Sequence, residues 1–392
     1  MFSSRTNWQL SPNRFTQALE EARLAGKKIL DLSASNPTRV GLHYDEATIL
    51  GALASPKSID YDPQSKGLHA AREAVANYYH DDHDVGDLDP EHLVLTSSTS
   101  EGYSYVFGLL CNSGDELLVP KPSYPLFDFL ADLEDVKLVP YPLIYDHGWQ
   151  MDFPSMERAV TPRTRGIVIV HPNNPTGSYV QVHEFELLNA FCRERGLALV
   201  VDEVFLDYAH DGNKRSTFAA NKDVLTFTLS GLSKISALPQ MKVAWVATSG
   251  PEAEVDAAMS RIEVIADTYL SMNAPMQWAM PILLQQRQSI QEQLLDRVLA
   301  NLAELDRHIA MQKTCQRLQV EGGWYAVLRV PVTRSDEDWA IELLKEKSVL
   351  VHPGHFYDFP GDGHLVLSLI TPRAEFAEGI QRVVEELLIA DR

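Results

Sequence analysis

The sequence predicts an α/β protein: a large domain with a mostly parallel sheet flanked by helices, plus a smaller α+β domain. Two patterns carry this reading. The middle of the chain alternates apolar runs rich in Val, Ile and Leu with longer helical stretches, and strand–helix–strand repetition builds a parallel sheet covered on both faces. From about Glu252 long helices take over and a mixed segment follows, as a second unit requires. With 392 residues, 45% of them hydrophobic and 22% charged, the chain has the length and composition for two domains with a large core.

Taken in order, the strand candidates are His92–Thr96, Glu116–Val119, Lys137–Tyr141, Gly166–His171, Leu197–Asp202, Val224–Leu229 and Val243–Ala247. Several are unbroken apolar runs, the mark of strands buried on both faces. Glu101–Leu110 and Val182–Arg195 read as helices between them. Helical stretches then run from Glu252 through Arg307. Gly322–Pro331 is a strand candidate, Asp336–Lys347 a helix, and strands follow around Leu350 and over Leu365–Leu369 before a last helix from Ala374. The expected division is a large domain over 44–271 and a small domain made of 1–43 and 272–392.

Charge narrows the function. Lys and Arg number 34 against 54 Asp and Glu, a net charge of −20. That excludes a phosphate-backbone binder and a protein docked on an anionic membrane, so neither nucleic acid nor membrane is an expected partner. Cys111, Cys192 and Cys315 are odd in number and far apart, which fits a reducing compartment, and a cytoplasmic protein is expected. Met1–Gly26 lacks the apolar core of a signal peptide, and no run reaches the roughly 18 apolar residues of a membrane span. His80-Asp81-Asp82-His83-Asp84 looks rich in metal ligands, but its polar setting reads as a solvated loop; His171, His352 and His355 fall near the inferred cleft without metal spacing. No metal is expected.

Ligands of open parallel sheets bind beyond the carboxyl ends of the strands. Those ends carry Ser97-Ser98-Thr99-Ser100-Glu101, Pro122-Ser123-Tyr124, Asn173-Asn174-Pro175-Thr176-Gly177, Asp202-Glu203 and Ser230-Gly231-Leu232-Ser233-Lys234. A lysine amine forms a Schiff base with an aldehyde. A carboxylate pairs with a protonated pyridine nitrogen and keeps the ring an electron sink. A helix start rich in hydroxyls binds phosphate, an amide donates to a ring phenolate, and a tyrosine stacks on a ring. The set implies pyridoxal 5′-phosphate. A Ser–Lys hydrolase dyad at Ser233-Lys234 lacks a nucleophile elbow, and no phosphate-binding P-loop or dinucleotide fingerprint is present.

The order and spacing of Ser35-Asn36-Pro37, Tyr61…Gly67, Asn174-Pro175-Thr176-Gly177, Asp202-Glu203-Val204, Ser233-Lys234, Gly322-Gly323 and Pro353-Gly354 extend over nearly the whole chain. In them the chain resembles the class I/II aminotransferases, the fold-type I enzymes dependent on pyridoxal phosphate. The resemblance implies that Lys234 is the Schiff-base lysine and proton shuttle, that Asp202 faces the pyridine nitrogen, that Asn174 donates to the ring oxygen and that Tyr124 stacks on the ring. It implies a phosphate cup of Ser98, Thr99, Ser100 and Ser230. It further implies a homodimer in which Tyr61 reaches the neighbouring subunit's phosphate.

Three positions depart from that pattern. Lys242 stands where the family usually has an arginine on the phosphate, and lysine lacks the bidentate fork. Phe205 replaces a tyrosine that donates to the ring oxygen, a role that Tyr208 could fill instead. Val366 stands where an arginine ordinarily takes the substrate's α-carboxylate, and Arg39, then Arg373, are the candidate replacements. The expected reaction is transfer of an amino group from a donor to a 2-oxo acid or other carbonyl. A lyase, decarboxylase or synthase on the same scaffold is the alternative, and a non-catalytic binding regulator a more distant one.

Overall fold

The apolar runs pair as their composition demands. The computed structural model describes residues 1–86, 88–125 and 127–390; residues 391 and 392 of the expected small domain lie outside these. Near the N-terminus a two-residue strand, β1 (Leu30–Asp31), precedes the large domain. The large sheet is built from β2 (Leu93–Thr96), β3 (Glu116–Lys121), β4 (Lys137–Tyr145), β5 (Trp149–Met151), β6 (Thr164–Val170), β7 (Ala198–Asp202), β8 (Thr226–Gly231) and β9 (Ala244–Ser249). Its spatial order is β2-β9-β8-β7-β6-β3-β4-β5. The pairs β4–β3–β6–β7–β8 run parallel, while β9 and β5 run antiparallel to their neighbours. Every residue of β2, β7 and β8 is buried, including Thr226, Thr228 and Ser230, which alternate with apolar residues along β8.

The small domain holds a four-stranded antiparallel sheet. It contains β10 (Gln316–Arg317), β11 (Tyr325–Arg329), β13 (His352–Pro353) and β14 (His364–Ser368), in the order β10-β11-β14-β13; β12 (Val349–Leu350) pairs instead with β1, Leu30 opposite Val349. That parallel pair, with Ser368 N–H donating to the Leu32 carbonyl at 2.7 Å, ties the N-terminal segment to the C-terminal unit. Helices Arg287–Ile309 and Arg373–Ala390 complete this body.

Helix Ala274–Gln285, within the range 272–392 expected for the small domain, buries Met276, Met280 and Leu283 in one cluster with Tyr79, Trp245 and Ile235. One expectation is corrected: His80–Asp84 is not a solvated loop. It forms the end of helix His69–His83, where His83 is buried against Asp207 at 2.9 Å and Asp82 pairs with Arg287 at 2.6 Å. Among the described residues no cluster of His, Cys, Asp and Glu is placed to hold a metal, and no helix is long and apolar enough to cross a membrane.

Candidate active site

The parallel strands β3, β6, β7 and β8 end on one edge, and register fixes what meets there. Asp202 at the end of β7 stands opposite Val170 of β6 and Leu229 of β8. The chain leaves β8 at Gly231 and turns at once into the short helix Leu232–Ile235, which carries Lys234. A side chain on Gly231 would collide with the Val243 carbonyl 2.8 Å away, so glycine permits this tight exit beside β9. A cavity of about 280 Å³ opens at this edge, between the large sheet and the small domain. Lys234, Asp202, Asn174, Tyr124 and Thr99 all line it.

Electrostatics follow from the burial. Asp202 accepts hydrogen bonds from the Val204 N–H at 3.1 Å and the Tyr103 hydroxyl at 3.2 Å. Desolvation nevertheless dominates and pushes its carboxyl up to about 6, only partly offset by those bonds and by Lys234. Such a carboxylate gains by pairing with a cation. Lys234 faces the cavity, its Nζ 4.9 Å from the Trp324 ring centre and 5.5 Å from that of Phe205. Desolvation lowers its ammonium to about 8, with Asp202 acting in the opposite direction. About a tenth of Lys234 is therefore free amine at pH 7, the form that attacks carbonyls.

Asn174 belongs to a loop closed by hydrogen bonds from Asn173 N–H to Ser178 O (2.8 Å) and from Gly177 N–H to Asn173 O (2.7 Å). Its Oδ1 is buried without a donor among the described residues, so this carboxamide is not engaged by the protein and its Nδ2 is available to donate. A buried amide without a partner costs free energy unless a ligand supplies one. At the other end, helix Thr99–Leu110 begins on an N-cap, Ser98, whose Oγ accepts from the Glu101 N–H at 3.2 Å. The N–H groups of Thr99 and Ser100 remain without helical acceptors and offer an anion site. The carboxamide, the amine, the carboxylate and the open helix start fit the phosphorylated pyridine aldehyde that the sequence implies.

Not every sequence candidate lines the cavity of its own chain. Ser98 serves as the cap, and Ser100 follows on the first helical turn. The Ser230 hydroxyl donates to the Glu203 carbonyl at 3.4 Å inside the sheet, so Gly231 and Ser233 face the cavity instead. Lys242 is exposed just after the turn Pro239–Met241. Arg39 is exposed on the turn Pro37–Arg39, and Arg373 is paired with Asp296 at 2.5 Å on the surface, so neither replaces a carboxylate-binding arginine from where it stands. Tyr61 is 82% exposed and lines a separate pocket with Leu270 and Ser271. Tyr208 cannot substitute for Phe205, because its hydroxyl donates to the Lys234 backbone carbonyl at 2.6 Å.

Of the other lining residues, Ser35 lies in a family motif and His352 was expected near the cleft, while Tyr325, Phe356 and Tyr357 lacked a sequence signal. Ser35, Tyr325, His352, Phe356 and Tyr357 reach the cavity from the N-terminal segment and the small sheet. His171 is committed elsewhere, to Val180 N–H at 3.0 Å and Ser216 O at 3.1 Å, and burial lowers it to about 4.

Comparison with known proteins agrees with this geometry. Residues 27–383 match the family model described as aminotransferase class I and II. Glutamate-pyruvate aminotransferase AlaA of Haemophilus influenzae is 28% identical over 92% of this chain and 91% of its own. The alanine aminotransferase of Mycobacterium tuberculosis is 28% identical over 91% of this chain and 85% of its own. Among solved structures, an Escherichia coli aminotransferase superposes with a TM-score of 0.88 at 25% identity, covering 99% of this chain and 98% of its own. The alanine aminotransferase of Pyrococcus furiosus gives 0.90 at 22% identity over the full length of both and shares the fold. A lysine, an aspartate and a free carboxamide around one cavity, in a chain matched to that model almost end to end, place this protein in the class I and II aminotransferase family.

Proposed function

We propose that this aminotransferase binds pyridoxal 5′-phosphate at Lys234 and moves an amino group between an α-amino acid and a 2-oxo acid. The single observation that carries the reading is the buried pair: an amine lowered to about 8 and a carboxyl raised to about 6, lining one cavity. Bound there, the cofactor supplies an aldehyde and an aromatic ring that spreads negative charge. Lys234 would supply the amine for the aldehyde and, as free amine, would carry a proton to and from the substrate's Cα. Asp202 holds a proton on the ring nitrogen from a site too dry to screen the interaction. Asn174 donates to the ring oxygen, Tyr124 covers the ring face, and the N–H groups of Thr99 and Ser100 hold the phosphate. The names of the alanine and glutamate-pyruvate relatives support a small α-amino acid donor.

The exposure of Tyr61 and its apolar neighbours Ile59, Tyr269 and Leu270 supports a homodimer in which Tyr61 reaches the second site. Three cysteines without disulfides support a reducing, cytoplasmic setting.

Borohydride reduction of the holoenzyme tests the assignment. The label is expected on the Lys234 peptide, and Lys234→Ala loses both label and turnover. Capture of cofactor by the apoprotein depends on free amine, so its rate rises with pH and levels off above about 8. Asp202→Ala lowers turnover by at least about a hundredfold with the fold intact. Ammonia released in place of amino transfer would indicate a lyase.

A further inference from the structure

A substrate carboxylate that enters this cavity loses water and must find a partner. The lining contains no arginine among the described residues. Lys234 is engaged in the chemistry, and Asp202 repels an anion. The other lining group able to carry positive charge is His352. We propose that His352 binds the substrate's carboxylate, with the Ser35 hydroxyl as a second donor, in place of the arginine absent at Val366. This rests on the transamination of α-amino acids proposed above.

The position follows from register. His352 of β13 stands directly opposite Val366 of β14, and Val366 is also opposite Val327 of β11. Opposed residues of antiparallel strands project to the same face. The imidazole therefore stands one strand from the position where the arginine would have been, on the face bearing Val366.

The ring is held for this task. Its Nδ1 lies 2.9 Å from the Tyr357 hydroxyl. Burial keeps that phenol protonated, and with its O–H as donor to Nδ1 the neutral ring carries its proton on Nε2. Nε2 has no protein partner among the described residues. Ser35 lines the same cavity, and its hydroxyl is likewise unpartnered among them.

The charges around the ring set the pH response. Burial lowers His352 below its ordinary value, and Asp31 of β1 opposes this. Val366, opposite on β14, is uncharged. Asp336, on the helix packed against β13, accepts from the Gly363 and His364 N–H groups. Tyr357 and His355 stand on the turn that follows, and Tyr325 of β11, Lys234 and Asp202 share the cavity. The empty site thus carries a neutral ring, and an arriving carboxylate favours the imidazolium. Binding takes up a proton and weakens as pH rises, by about tenfold per unit above the free enzyme's His352 pKa.

The test uses the holoenzyme and the variants His352→Leu and His352→Gln. His352→Leu is expected to raise KM for L-alanine about 10- to 100-fold, as for loss of one charge-assisted hydrogen bond, with little change in kcat. A carboxylate-free amine such as 1-phenylethylamine loses nothing by the same change. Propionate, which cannot react, is titrated calorimetrically between pH 6 and 8.5. Its affinity should fall with pH in the wild type, and His352→Gln should bind it weakly at every pH. An unchanged KM for L-alanine in His352→Leu, or propionate binding without pH dependence, overturns the proposal. So does an equal loss for the amine, which would give His352 a merely structural role. If the wild type transaminates no amino acid, the functional reading fails instead, and the propionate titration still decides the role of His352.

Discussion

At the scale of single residues, the chemistry depends on what each polar atom is already bonded to. Tyr208 is the instructive case. It lies three positions after Phe205, but its hydroxyl is fixed on the Lys234 carbonyl and is not free for a cofactor. Phe205 is buried and lines the cavity, so a hydroxyl added there would enter the space the proposed cofactor would occupy, where the family pattern has its ring oxygen. A new donor to that oxygen draws its charge away from the imine proton, which is then lost more easily. Phe205→Tyr should lower the pH midpoint of the cofactor's visible band by about one unit, the equivalent of one net hydrogen bond. A pH titration of both proteins measures it, and an equal or higher midpoint in the variant contradicts the assignment.

At the scale of elements, the loop bearing Asn174 is aligned by a second loop from the small domain. Gly322 N–H donates to the Gly177 carbonyl at 2.9 Å, and Gly323 N–H to the Tyr208 carbonyl at 2.9 Å. Gly177 has φ +69°, and a Cβ there would overlap the Gly322 carbonyl and Val320. Gly196, the C-cap of helix Val182–Arg195, has φ +63° with nothing within 4 Å of the same atom. The two glycines separate backbone strain from collision. Gly196→Ala should cost about 1 kcal/mol, and Gly177→Ala about 2–4 kcal/mol. Thermal melts measure the difference, and Gly177→Ala alone should also weaken cofactor retention. The strands and main helices were readable because their periodicity is local. The end of helix His69–His83 was not, since burial of His83 depends on Asp207, which is remote in sequence.

At the scale of the whole molecule, Tyr61 is exposed and lies outside the active-site cavity of its own chain. A second copy that brings its own Tyr61 to the phosphate predicts complementation. Lys234→Ala and Tyr61→Ala homodimers should each lose activity. Mixing them through a reversible dissociation step should restore it to about a quarter of the wild-type level, since half of the dimers are mixed and each of these has one intact site. Recovery after mixing is the measurement, and absence of recovery in proven heterodimers removes Tyr61 from the partner's site.

The sequence by itself determined the α/β class and the family, and it singled out Lys234, Asp202, Asn174, Tyr124 and Thr99, which line one cavity. Each follows a strand whose end is marked by local hydrophobic patterning, and the ends of parallel strands lie on one edge by topology. The tertiary structure alone decided which polar atoms remain free around them. It turned Ser230 into the sheet, left Arg39 and Lys242 exposed, and bonded Arg373 to Asp296. It also set His352 opposite Val366 through the pairing of β13 with β14. The physical reason is range: a strand end is specified by a few adjacent residues, but a side chain's hydrogen-bond partners come from other elements, 27 residues away for Ser230 and Glu203 and 77 for Arg373 and Asp296.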